Sequence, residues 1–139
     1  MKIPAWLIVF FIICAICITP VSAQNDTKKQ VLILVSYNQG MPWADTELSG
    51  TQEILARSGL DYELHIEYMD TKRTFNEVHI RNLYTLYKNK YNGTHFDVIL
   101  CSDNDALNFL LKYRDELFPD TPVVFYGINS SPDNERYCA

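Results

Sequence analysis

Two kinds of hydrophobic pattern alternate along the chain, and the switches between them mark its elements. Val31-Leu32-Ile33-Leu34-Val35 is an unbroken apolar run, read as a strand buried on both faces. The polar stretch Ser36-Tyr37-Asn38-Gln39-Gly40 follows as a loop. Pro42 and Asp45 suit a helix start, and Leu48, Thr51, Ile54 and Leu55 then recur at helical spacing up to Gly59, a natural C-terminal stop. From Tyr62 the period changes to two: Tyr62, Leu64, Ile66 and Tyr68 alternate with Glu63, His65 and Glu67. That is a half-exposed strand with one wet face, so His65 is expected to point to solvent. After the loop Asp70-Thr71-Lys72-Arg73, Asn76 caps a second helix whose apolar stripe is Ile80, Leu83, Tyr84 and Tyr87, ending at Asn92-Gly93. The run from Phe96 to Cys101 is a third strand. Ser102 and Asp103 are good N-cap residues for the helix that follows, which turns Ala106, Phe109, Leu110 and Tyr113 inward. Pro119 and Pro122 bracket a turn, and Val123-Val124-Phe125-Tyr126 is a fourth apolar strand ending in Gly127-Ile128-Asn129.

Strand and helix thus alternate from first to last, and crossovers of helical length imply a parallel sheet with helices on both faces. The fold class is α/β, a doubly wound three-layer αβα sandwich. The alternating second strand belongs at an edge, while the first, third and fourth read as buried. Order 2-1-3-4 satisfies this, with the topological switch point between the first and third strands. A buried fourth strand should not be a bare edge. The expectation is therefore a truncated lobe, or a partner chain such as a second copy, covering it.

The N-terminus is set apart from this pattern. Met1-Lys2 is followed by an almost wholly apolar run from Ile3 to Ile18, then Thr19-Pro20 and the small residues Val21-Ser22-Ala23. Residues 1–23 read as a secretory signal peptide, or else an N-terminal membrane anchor. The run of about 16 residues is slightly short of the roughly 20 that span a bilayer. Residues 24–29 are a polar lead-in, and the α/β lobe occupies 30–139. The lobe is expected outside the cytoplasm, in the periplasm or on the outer face of the membrane. Cys14 and Cys17 lie within the apolar leader and carry no redox or metal reading. Cys101, at the end of a buried strand, reads as a small hydrophobe; a Cys101–Cys138 bridge is open in an oxidising compartment.

Composition adds exclusions. At 47% hydrophobic and 13% aromatic the chain has enough apolar material for a core, and its net charge of -5 argues against nucleic-acid binding. It contains no phosphate-binding G-x-x-x-x-G-K-[ST], no G-x-G-x-x-G, no G-x-S-x-G and no H-E-x-x-H, so no enzyme signature is present in these 139 residues. Asp103-Asn104-Asp105 lacks the glycine and distal glutamate of a calcium loop, and His65, His79 and His95 fall on separate elements, so neither a metal nor a cofactor is expected. Asn25-Asp26-Thr27 and Asn92-Gly93-Thr94 match the glycosylation sequon.

What remains is convergence. In a sheet of this kind, ligands bind outside the carboxyl ends of the strands. The loops meeting there carry Ser36, Tyr37, Asn38 and Trp43; Asp70 to Arg73; Ser102, Asp103, Asn104 and Asp105; and Gly127 and Asn129. Hydroxyls, amides, aromatics and helix N-termini together suit a small polar or zwitterionic molecule. Taken singly, Asp103 caps a helix and Asn129 makes a turn. Taken together, Ser36, Tyr37, Asn38, Trp43, Ser102, Asp103, Asn104 and Asn129 are the candidate ligand-binding residues.

Several phrases also resemble a known family. They are Val35-Ser36-Tyr37-Asn38-Gln39-Gly40-Met41-Pro42-Trp43, Glu67-Tyr68-Met69-Asp70-Thr71-Lys72-Arg73, Phe96-Asp97-Val98-Ile99, Asp103 to Leu110, and Tyr113 to Pro119 leading to Pro122-Val123-Val124-Phe125. This set resembles the extracytoplasmic sensor domain at the N-terminus of bacterial membrane histidine kinases and diguanylate cyclases. That family is similar to the substrate-binding proteins of ABC transporters, with a type I periplasmic-binding fold. The resemblance implies two lobes closing on a small-molecule ligand, then a membrane helix and a cytoplasmic output domain. Here only the N-terminal lobe is matched, and no catalytic residue of an output domain is carried over. The alternatives are a free substrate-binding protein serving a transporter, or a complete small secreted α/β binding protein.

Overall fold

A computed structural model describes residues 28–129. The elements are β1 (Lys29–Val35), α1 (Pro42–Arg57), β2 (Tyr62–Tyr68), α2 (Glu77–Lys90), β3 (Val98–Ser102), α3 (Asn104–Leu117) and β4 (Val123–Tyr126). All strands pair in parallel, and the order is β2-β1-β3-β4, as the patterning predicts. The leader, most of the lead-in, Cys14, Cys17, Cys138 and the Asn25 sequon lie outside the described residues. Lys29, assigned to the lead-in from sequence, already pairs with Tyr62 as the first residue of β1.

The unbroken apolar run of β1 places alternate residues in two separate cores. Leu32 and Leu34 join Ile99 and Cys101 of β3, Leu83 and Tyr87 of α2, and Ala106, Phe109 and Leu110 of α3. Ile33 and Val35 face the other way, against Ala44 and Leu48 of α1, with Leu64, Ile66 and Leu100 alongside. So α1 covers one face of the sheet and α2 with α3 the other. Each fully buried side chain of Leu32 or Ile99 size contributes about 1.5–3 kcal/mol. The helix ends are local: Asn76 Oδ1 accepts the His79 N–H at 2.9 Å to cap α2, Pro42 opens α1, and Gly59 follows its end at φ 72°.

Three expectations are corrected. First, the charged face of β2 is wet only at Glu63, and His65 and Glu67 are covered. The His65 ring packs edge-on against Tyr91 and Phe96, at 5.7 and 5.3 Å, and its Nε2 lies 3.0 Å from Gln30 Oε1. On the same face Glu67 is buried and accepts hydrogen bonds from Lys90 Nζ and Tyr91 Oη. The C-terminal turn of α2 closes over a face that alternation alone assigns to solvent. Second, β4 stands at the end of the sheet as the order 2-1-3-4 places it, but it is not buried among the described residues: Val124 and Phe125 are 54% and 43% exposed. The apolar stripe of α1 packs over β1 and β2 and reaches Leu100 of β3, with Glu47 meeting Ser102; Val124, the neighbour of Leu100 on that face, lies beyond the stripe among the described residues. Third, Ile54 is 72% exposed; the inward stripe of α1 runs through Ala44, Leu48 and Leu55. Cys101 is a buried free thiol, which burial pushes up to about 12.

Candidate ligand-binding site at the carboxyl edge

The strand order brings the four loops after β1, β2, β3 and β4 to one edge, and hydrogen bonds join them. Ser36, fully buried just past β1, is the hub. Its Oγ donates to the Ser102 carbonyl at 2.9 Å and accepts the Ala106 N–H at 2.8 Å. Its own carbonyl accepts both the N–H and the hydroxyl of Thr71, at 2.9 and 2.8 Å. Thr71 Oγ1 lies 2.8 Å from Asp105 Oδ2 as well, so one hydroxyl bridges the β1 loop and the first turn of α3.

This overturns the capping expectation. Ser102 ends β3 rather than opening α3, and Asp103 occupies the N-cap position without making a side-chain cap bond. The Ala106 N–H it would have satisfied is taken by Ser36, from another strand. The Asp103 carboxylate turns elsewhere: Oδ1 accepts from Asn129 Nδ2 at 3.3 Å, and Oδ2 faces the Lys72 ammonium at 2.7 Å. Lys72 Nζ also lies 2.9 Å from Asp105 Oδ2. Burial works against the ammonium, but the two carboxylates outweigh it and hold the Lys72 pKa above its ordinary value.

Asp103 is unusual in its backbone too. At φ 71° and ψ 166° it occupies a region that side-chain-bearing residues almost never enter, at a cost of order 1–3 kcal/mol. Strain of this kind persists where surrounding structure over-determines it, often at functional sites. Here the Asp103 N–H is held by the Tyr126 carbonyl at 3.0 Å and the side chain by Lys72 and Asn129.

Beside this buried network stands an aromatic wall. Tyr37 and Trp43 meet edge to face with centroids 5.3 Å apart, and Lys72 Nζ lies 5.3 Å from the Tyr37 ring centroid. Trp43 is 40% exposed, so its indole is open to an incoming molecule. Glu47, one turn along α1, accepts the Ser102 hydroxyl at 3.0 Å. Gly127, at φ 66°, lets the chain leaving β4 pass under these groups. A Cβ there would lie 3.1 Å from Glu47 Oε1 and 3.3 Å from Trp43 Cη2.

Of the sequence-predicted residues, Ser36, Ser102, Asp103 and Asn129 enter one network, and Asn104 joins through Oδ1, which accepts the Asn129 N–H at 3.0 Å. Tyr37 and Trp43 form the wall. Asn38 does not converge: its amide donates to the neighbouring Gln39 carbonyl. Lys72, Thr71 and Asp105, placed in these loops but not among the candidates, prove central. Glu47 is the residue missed outright. Its signal was the spacing of four from Trp43, which puts both on one side of α1.

A cavity of about 400 Å³ lies at the opposite, amino edge, between the C-terminal ends of α2 and α3, lined by Tyr91, Asn92, His95, Glu116, Phe118 and Pro119 among others. It lacks the convergent buried network of the carboxyl edge, and the sheet's N–H-bearing helix starts lie at the far end. Among the described residues no helix is long and apolar enough to cross a membrane, and no three His, Cys, Asp or Glu side chains are grouped to hold a metal ion. Compared with known proteins, the chain matches no protein family, no characterised protein and no solved structure.

Proposed function

We propose that the chain is a small-molecule-binding lobe with its ligand seated on the carboxyl edge, and that it serves as the extracytoplasmic sensing part of a membrane-bound signal-transduction protein. The observation that carries the binding part is the single network tying together four loops, with a strained aspartate at its centre and an exposed tryptophan beside it. A fold needs neither feature for stability alone. The sensing part rests on the resemblance and on the apolar leader. Binding would act by population shift: a ligand favours whichever loop arrangement it contacts best, and that preference is passed to attached segments.

The test is recovery of a bound molecule. The full chain is purified without added ligand, denatured, and its small-molecule fraction analysed by mass spectrometry. The expected result is a stoichiometric organic compound that is lost from the Trp43→Ala variant while folding is kept. A chain that carries nothing and whose melting temperature no small-molecule panel shifts would refute the proposal.

A further inference from the structure

The Lys72 ammonium occupies a seat built for a point cation. Two carboxylate oxygens from different positions, Asp103 Oδ2 and Asp105 Oδ2, converge on it at 2.7 and 2.9 Å, and the Tyr37 ring closes a third side at 5.3 Å. Convergence of single oxygens on one nitrogen suits a compact ammonium; a planar guanidinium would ask for two parallel acceptors on one carboxylate. The walls of the seat are more deeply buried than its occupant. Asp103 is 1% exposed and held by Asn129, whereas the Lys72 side chain is 37% exposed on a long flexible stem. Asp103 Oδ2 is buried and turned toward the Lys72 ammonium.

The charge balance points the same way. Asp103 and Asp105 place two carboxylates beside one ammonium, which leaves an excess of one negative charge at the seat. If Lys72 swings out, Asp103 is left as a buried, unpaired charge, which is strongly unfavourable. Only a group that brings its own positive charge can take its place, and a neutral ligand cannot.

We propose that this seat recognises the primary ammonium group of the ligand, with Lys72 as its tethered stand-in in the empty protein. The ligand class is an amine carrying an apolar or aromatic body, the amine between Asp103 and Asp105 and the body against Tyr37 and Trp43. This rests on the carboxyl edge being the ligand site.

The probe is ethylammonium chloride, with sodium chloride at equal ionic strength and ethanol as controls, added to the full chain during thermal unfolding. Lys72→Ala should melt lower than wild type and be restored by ethylammonium but by neither control. Lys72→Met, which keeps the stem's bulk, serves the same purpose if the alanine variant does not fold. Adding Asp103→Asn to either should abolish the rescue. Wild type should respond with the same selectivity at a concentration at least about tenfold higher, because the tethered ammonium competes at an effective millimolar concentration or more. Rescue by sodium chloride or ethanol, or a wild type that ethylammonium never moves, overturns the proposal and leaves Lys72 a permanent internal partner. A co-purified ligand that lacks an amine yet depends on Trp43 also overturns it, while leaving the proposed function standing.

Discussion

Replacing Ser36 by alanine tests how the carboxyl edge is held together. The side chain is fully buried, and its Oγ is the group that satisfies the Ala106 N–H at the start of α3. The Ser102 carbonyl, the other partner of Oγ, keeps the Ser36 N–H at 3.2 Å and so is not orphaned. The loss is therefore one buried donor. Removing a helix cap costs typically ~1 kcal/mol, and stranding a buried N–H costs ~1–3 kcal/mol; the two describe the same group and do not add. A destabilisation of about 2 kcal/mol is expected, which for a domain of this size lowers the melting temperature by roughly 8–16 °C. Asn76→Ala supplies the internal control. It removes an ordinary, exposed cap at 2.9 Å from the His79 N–H, where water replaces the lost partner, and should cost about 1 kcal/mol or less. Urea denaturation of both variants, with the slope m unchanged, measures the difference. Amide exchange should also speed up at Ala106 in the Ser36 variant. If Ser36→Ala costs no more than Asn76→Ala, the cross-strand cap is not what secures α3, and the picture of Ser36 as a hub fails.

Three further outcomes follow from groups elsewhere in the fold. Tyr87 is buried and its hydroxyl has no hydrogen-bond partner among the described residues, so Tyr87→Phe should leave urea stability unchanged or raise it by up to about 1 kcal/mol; a clear loss would reveal a partner. Burial raises the pKa of the Cys101 thiol to about 12, and burial together with Glu67 raises the Tyr87 and Tyr91 phenols above their ordinary values. Groups raised in the folded state favour the unfolded chain once that chain ionises, so stability should be intact below about pH 9 and fall from there toward pH 12. Chemical denaturation across that range checks the slope, and Cys101 should stay unreactive to a thiol reagent until the protein unfolds. Gly127→Ala combines a positive φ with a 3.1 Å approach to Glu47. It should cost about 1–2 kcal/mol and change Trp43 fluorescence, whereas a silent substitution would mean that Trp43 does not rest on this turn.

The sheet order was legible in the sequence because burial writes itself into the pattern. β1 must face two cores and is apolar throughout, whereas β2 pairs on one side only and alternates. What the pattern could not carry is which helix end closes over an edge. His65 and Glu67 look solvent-facing until Tyr91 and Phe96, distant in sequence, are placed over them. The exposure of β4 has the same origin, since an apolar strand reads as buried whether or not a helix covers it. The site shows both effects. Loop convergence followed from topology, so Ser36, Asp103 and Asn129 were found. Their partners were not, because side-chain preference favours Asp103 as a cap for α3. In the structure Ser36 satisfies that helix, leaving the Asp103 carboxylate for Lys72 and Asn129.

The carboxyl edge as a ligand site is tested most directly by mapping where a molecule binds. The small-molecule fraction released from denatured protein is added back to the isotopically labelled full chain, and amide chemical shifts are followed by NMR. The account predicts shifts concentrated at Ser36–Trp43, Asp70–Arg73, Ser102–Asp105 and Gly127–Asn129, with the opposite edge silent. Shifts centred instead on Tyr91–His95 and Glu116–Thr121, around the amino-edge cavity, would contradict it.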